Sequence, residues 1–368
     1  WIPLAALILS CVPLRAATYY LSPAGSDGNP GTSALPWKTL RKAAAAVRAG
    51  DTVIVRDGTY PGGVWLETPG TGAQPIVFKA AGQGAVIEGS GAERDAICVS
   101  GYDLGDPWWK GADMHVVLEG FAIRNASRAG IRISCAHRVT VRRCVLAHNG
   151  TWGVFTDYSN HSVIENNECS YSGEEHGIYV SNSSDYPVIR GNRVHHNAAS
   201  GIQINADPAM DDGDGITTGA VIERNVVYEN GRLGGAAINL ASVRGSLVQN
   251  NLLYHNYAGG IACWADGNGP AWGCKNNKIF NNTIYFRSSE GRWAVSLKEG
   301  SSFNRIRNNI LCGGARGALE FDDGRCIQGL KMDYNLFYRA GSNLVVTWED
   351  EAEYSLDQWR ALYGRDAH

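Results

Sequence analysis

Asparagine returns at a nearly fixed interval through most of this chain, and each time apolar-rich positions follow it. The segments NNEC at Asn166, GNRV at Gly191, RNVV at Arg224, NNLL at Asn250, NNTI at Asn281, NNIL at Asn308 and YNLF at Tyr334 form one series. Its anchors Asn167, Asn192, Asn225, Asn251, Asn282, Asn309 and Asn335 are separated by 25, 33, 26, 31, 27 and 26 residues, and Cys144 holds the same slot one repeat earlier. A second series runs between them: GIRI at Gly130, GVFT at Gly153, GIYV at Gly177, GIQI at Gly201, AINL at Ala237, GIAC at Gly260, AVSL at Ala294 and ALEF at Ala318. Two interleaved series at one period describe a solenoid.

Within each repeat the apolar residues alternate over four or five positions, which is too short for a helix and has the period of a strand. Strands of successive repeats stacked about 4.8 Å apart would merge their inward side chains into one core. The expected fold is therefore all-β: a right-handed single-stranded parallel β-helix, with the asparagines as a hydrogen-bonded scaffold at a turn. Stacked repeats need covered ends. Thr39–Arg48 (TLRKAAAAVR), closed by Ala49-Gly50, predicts an N-terminal capping helix, and Leu356–Tyr363 (LDQWRALY) a second helix at the far end.

A single domain over 18–368 follows, with an N-terminal cap and first strands over 18–60, regular coils over 116–340 and a C-terminal cap over 341–368. Residues 1–17 (WIPLAALILSCVPLRAA) read as the remnant of an export signal, apolar but too short to span a bilayer. A looser lipobox reading would lipidate Cys11. A secreted chain, extracellular or periplasmic and without a membrane span, is the expectation. The eight cysteines beyond Cys11 suit an oxidising compartment: Cys263 with Cys274 and Cys312 with Cys326 are spaced to close small loops, while Cys144 and Cys169 read as buried thiols. A net charge of -3 gives no basic surface for nucleic acid.

The segment YYLSPAGSDGNPGTSALPWKTLRKAAAAVRAGDTVIVRDGTY, Tyr19 to Tyr60, resembles the amino-terminal signature of secreted β-helix polysaccharide-active proteins, nearest to family 9 pectate lyases. The resemblance implies a β-helix acting on a uronic-acid polymer, with calcium held by an aspartate cluster and a lysine removing the proton beside the substrate carboxylate. That aspartate cluster, followed closely by a lysine-bearing strand, is not found in the coils here.

Alternation in the second series assigns Ile178 and Val180, Ile202 and Ile204, Val295 and Leu297, Leu319 and Phe321 to the interior. It turns outward Arg132, Phe155, Asp157, Tyr179, Ser181, Gln203, Asn205, Asn239, Trp264, Ser296, Lys298, Glu320 and Asp322. Aromatic faces stack on sugar rings while amides and acids meet hydroxyls, so this row predicts a polysaccharide groove. Asp157, Tyr179, Gln203, Asn205, Asn239, Trp264, Asp266 and Arg325 are its candidate binding residues. One subsite gathers Glu174, Glu175, His176, Tyr179, Gln203, Asn205 and Asp207, with His176 as a candidate acid or base. A second gathers Asp266, Lys298, Glu299, Glu320, Asp322, Asp323 and Arg325. Lys298, the one lysine of the row, is the candidate base of a lyase. Glu320 with Asp322 or Asp266 would supply the two carboxylates of a glycoside hydrolase. Asp207, Asp211, Asp212 and Asp214 in the insertion ADPAMDDGDG suit calcium, a hard ion wanting six to eight oxygens.

The expected activity is eliminative cleavage of a pectate-like or alginate-like polymer, by a monomer without an organic cofactor. A glycoside hydrolase, a uronan epimerase and a non-catalytic carbohydrate-binding β-helix are the alternatives on the same scaffold.

Overall fold

The computed structural model describes residues 16–210, 212–287, 290–349 and 352–368. Three long parallel sheets run the length of the molecule, of twelve, eleven and twelve strands among the described residues. Each coil gives one short strand to each. Val163–Glu165 lies in the first sheet, Glu168–Ser170 in the second and Ile178–Ser181 in the third. The next coil repeats this with Val188–Arg190, Arg193–His195 and Ile202–Asn205, each parallel to and in register with the strand before it. Among the described strands, only the final one, Ala352–Ser355, is antiparallel, against Leu344–Trp348.

The interior is the stack of inward residues: Ile178, Val180, Ile202, Ile204, Val295, Leu297, Leu319 and Phe321 are all essentially inaccessible. The asparagines hold the coils in step. Each side-chain oxygen accepts from the backbone and side-chain N–H groups of its equivalent one coil earlier, as Asn192 does from Asn167 at 2.9 and 3.1 Å. Each side-chain NH₂ also reaches a carbonyl, as Asn251 does at Ile222. Cys144 N–H starts this ladder on Asn167, and the carboxylate of Asp366 ends it on Asn335. A parallel ladder, unforeseen from the sequence, runs through Asn197, Asn230 and Asn256.

Helix α1 (Leu40–Ala46), capped by Thr39, sets Leu40 and Ala43 into the core beside the first strands. Helix α2 (Leu356–Tyr363) begins in a capping box of Ser355 and Gln358 and lays Trp359 flat on Phe321, the last inward ring, with centroids 5.1 Å apart. Regular coils start well before residue 116: Thr52–Val55, Ile76–Ala80 and Val64–Leu66 already belong to the long sheets. These early coils escape the repeat pattern because they lack the asparagine that marks the later ones. All eight described cysteines are free thiols, with Cys263 hydrogen-bonded to Cys274. Cys312 and Cys326 do not pair; Cys326 donates to Asp322 instead. Residues 1–15, including Cys11, lie outside the described residues, and among the rest no helix is long and apolar enough to cross a membrane.

Replacing Asn251 by alanine removes the acceptor for Asn225 N–H and the donor to Ile222. Each buried group so orphaned costs about 1–3 kcal/mol, so a loss of about 3 kcal/mol is expected from the urea midpoint. A loss below about 0.5 kcal/mol, as for a neutral surface change, would show that the ladder does not hold the coils.

Candidate active site

The third sheet carries the outward row. Its register aligns Trp65, Cys98, Arg132, Phe155, Tyr179, Gln203, Asn239, Ala262, Ser296, Glu320 and Thr347 from coil to coil. A companion row two residues on runs Ser134, Asp157, Ser181, Asn205, Ala241 and Trp264.

Toward the C-terminal end the row opens into a cleft of about 180 Å³ lined by Gly235, Asn239, Gly259, Ala262, Trp264, Arg292, Trp293, Ser296, Lys298 and Glu320. Its floor exists because the residues there are small: Ala262 sits where neighbouring coils place Asn239 and Ser296, and Gly259 and Gly235 add no side chain. Lys298 Nζ lies 2.7 Å from Glu320 Oε1, and Ser296 Oγ donates to Glu320 Oε2. Glu320 is 1% exposed, whereas the lysine side chain is 33% exposed to the cleft. The ammonium also stands 5.0 Å from the Trp293 ring, whose indole N–H is fixed on Thr347 Oγ1. Asn239 forms one wall and donates from Nδ2 to Gln203 on the coil before it at 2.8 Å.

Other predicted site residues are organisers of the backbone or of each other. Asp322 accepts from Glu299 N–H and the Cys326 thiol, and burial raises its pKa. Glu299 in turn accepts from the N–H groups of Ala265 and Gly267. Arg325 turns back on Asp323 at 2.6 Å, away from the cleft. Asn205 donates to Asp266 at 2.8 Å, joining two coils. Of the carboxylates considered for a hydrolase pair, Glu320 is held by Lys298 and Ser296, Asp322 by Glu299 N–H and the Cys326 thiol, and Asp266 by Asn205.

Up the row, Trp152 and Phe155 stack at 4.3 Å beneath the Arg128 guanidinium, and Tyr179 leans against Phe155 at 5.4 Å. Asp157 is held by Arg132 at 2.7 Å and by Ser134 Oγ at 3.1 Å. His176 Nδ1 accepts from Ser200 N–H at 3.0 Å, which leaves its proton on Nε2, 3.5 Å from Glu175. Burial pulls its pKa down to about 4. A neutral imidazole with its lone pair committed is a hydrogen-bond donor, neither the charged acid nor the free base expected of His176.

Among the described residues Asp207, Asp212 and Asp214 do not converge as ligands, Asp214 instead accepting from Ile216 N–H; Asp211 lies outside the described residues. The acids and thiol that do converge, Asp322, Asp323 and Cys326, are spent on Glu299, Arg325 and each other. Among the described residues neither set forms an open oxygen cage.

Arg128, Trp152, Arg292, Trp293 and Arg316 were not foreseen. Alternation counted back from Val154 and Val295 turns Trp152 and Trp293 inward. The pairing ladders skip Gly153 and Ala294, and both indoles leave the core for the outer side of the sheet, Trp152 beneath Arg128 and Trp293, still buried, beneath Arg316 and Lys298.

The folded His176 pKa of about 4 lies below the ordinary 6.5, so protonation favours the unfolded chain. Its stabilisation is complete above pH 6.5 and is lost as pH falls toward 4, by up to about 3 kcal/mol. The imidazole proton resonance of His176 should be flat above about pH 5 in an NMR titration; a midpoint near 6.5 would contradict its burial.

With this geometry in view, comparison with known proteins is informative about the scaffold. The family description "Pel9A-like, right handed beta helix region" matches residues 19–172, and "Right handed beta helix region" matches 112–271. The uncharacterized protein YwoF of Bacillus subtilis (strain 168) is 26% identical over 382 residues, spanning 87% of this chain and 68% of its own. The crystal structure of an alginate lyase from Paenibacillus sp. str. FPU-7 superposes with a TM-score of 0.62 at 20% identity, covering 82% of this chain and 97% of that one. Pectate lyase Pel9A superposes with a TM-score of 0.57 at 18% identity, covering 95% of this chain and 86% of its own. The chain is a right-handed parallel β-helix protein with a Pel9A-like region, built on the fold that these two polysaccharide lyases share.

Proposed function

We propose that the protein is an extracellular or periplasmic polysaccharide lyase that cleaves a uronic-acid polymer, pectate-like or alginate-like, in the cleft between Asn239 and Lys298. The observation that carries this reading is the Lys298–Glu320 pair, 2.7 Å apart, set beside two indoles above a floor of small residues. Trp264 is the platform for a pyranose ring, and Asn239 meets hydroxyls. The names of the two superposed lyases, one acting on alginate and one on pectate, agree with a uronate substrate.

Elimination needs a base for the proton beside the carboxylate and positive charge for the enolate-like intermediate. Glu320 is positioned to take one proton from the Lys298 ammonium, leaving a neutral amine facing the cleft. The amine then removes the proton next to the carboxylate, the carbon–oxygen bond on the adjoining carbon breaks, a carbon–carbon double bond forms, the leaving oxygen takes a proton from the ammonium so formed, and Glu320 returns its proton to the lysine. Arg292, which lines the cleft, faces the carboxylate as its charge grows. This route assigns no step to calcium.

Incubation with pectate, alginate, glycosaminoglycan and neutral glycans separates the alternatives. New ultraviolet absorbance from an unsaturated uronate supports elimination. Reducing ends without it would indicate hydrolysis, a changed uronate configuration epimerisation, and binding without cleavage a carbohydrate-binding protein. Lys298→Met combined with Glu320→Gln, which removes both charges together, should lower turnover at least about 100-fold while the fold persists. Full activity in that variant would remove Lys298 from the mechanism. Ala262→Trp should abolish substrate binding by filling the floor with little effect on the melting temperature. A chelator should leave turnover unchanged, and a strict calcium requirement would overturn the metal-free route.

A further inference from the structure

On the second sheet, away from the cleft, two histidines meet between two carboxylates. His195 Nε2 lies 3.3 Å from Glu168 Oε1, and His196 Nε2 lies 2.7 Å from Glu229 Oε2. Between them, His195 Nδ1 and His196 Nδ1 stand 2.8 Å apart. A carboxylate only accepts, so each Nε2 must carry its ring's proton. Two neutral imidazoles have then no proton left, and both Nδ1 lone pairs face the same small space. That contact is satisfied only by a shared extra proton or by a bound cation.

The arrangement has the features of a metal site. Histidine ligands characteristically donate their second N–H to a carboxylate, which fixes the tautomer and turns the other nitrogen to the ion. Here that happens twice at adjacent residues. Metal–nitrogen bonds of about 2.0–2.1 Å place two ligands about 2.9 Å apart at a right angle and about 3.3 Å apart at the tetrahedral angle. The observed 2.8 Å fits the right angle, the geometry of copper(II) and nickel(II) rather than of zinc. The rings are also held in place: Tyr228 stacks on His195 at 4.7 Å and Tyr171 on His196 at 5.0 Å, with His148 behind Tyr171 at 4.8 Å. His196 takes a left-handed backbone conformation, φ 55°, in the turn slot that Glu229 occupies one coil later. Two cations lie near: Arg193 is turned onto Tyr228 Oη at 2.6 Å, and Arg287 lies 3.9 Å from Glu229.

We infer that His195 and His196 form a copper(II) or nickel(II) site through their Nδ1 atoms, with Glu168 and Glu229 as the carboxylates that orient them and water completing the coordination. The site is independent of the activity proposed for the cleft.

Titration of the full chain with copper(II) sulfate, followed by calorimetry and electron paramagnetic resonance, tests this directly. One equivalent should bind with a signal split by two nitrogens. His195→Gln and His196→Gln should each remove that signal, and Glu229→Gln should weaken binding about 10–100-fold with unchanged circular dichroism. His368→Gln, at the distant C-terminus, should change nothing. Copper bound without two-nitrogen splitting, or splitting that survives both histidine variants, would overturn the site. So would an absence of copper binding with the pair simply holding a third proton.

Discussion

Hydrogen bonding between coils is the constraint on which the rest of the molecule depends. A parallel β-helix has no local turn that fixes register, so each strand must find its partner one full coil away. The asparagine ladder supplies that register at a buried point, where a slip by one residue would leave amide groups without partners and turn inward side chains outward. Cys144 and Asp366 close its two ends, one offering a backbone N–H to Asn167 and the other a carboxylate to Asn335. Because the ladder fixes the coils, the outward residues of the third sheet fall into straight rows. The cleft is a consequence of those rows: where Ala262 interrupts the line of larger side chains, space opens between an amide wall and a charged, aromatic one.

The electrostatics of the cleft come from burial on one side only. Glu320 sits at the base of the row with both oxygens held, and Lys298 reaches over it into the open space. An isolated buried carboxylate would be costly, so the pair belongs together and a substrate carboxylate approaching Lys298 enters a field already set by Glu320. Farther along, Arg132 and Asp157 form a second partly buried pair beside Phe155 and Tyr179, which continues the polar and aromatic character of the row for several coils.

Periodicity made the scaffold legible. The spacing of Asn167 to Asn335 and the alternation of Ile178, Val180 and their equivalents are physical requirements of stacking, so they are written into every coil. The early coils were hidden because Thr52–Val55 and Ile76–Ala80 use no asparagine at the turn. The row that holds Tyr179, Gln203, Asn239 and Lys298 was legible for the same reason as the core. What alternation does not encode is the bend at Gly153 and Ala294, which turns Trp152 and Trp293 out of the core, or the destination of an acidic side chain. Asp322 and Glu299 look like site residues in sequence, yet each satisfies a backbone N–H, and His176 gives its lone pair to Ser200. The meeting of His195 with His196 between Glu168 and Glu229 depends on side chains from three successive coils, which single-coil patterns cannot reveal.

The most direct test of the account is a crystal structure of the Lys298→Met, Glu320→Gln chain soaked with a uronic-acid oligosaccharide. The account predicts a pyranose ring stacked on Trp264, with its carboxylate turned toward position 298 and Arg292. Sugar bound on another face, or in this cleft with its carboxylate turned to solvent, would contradict it.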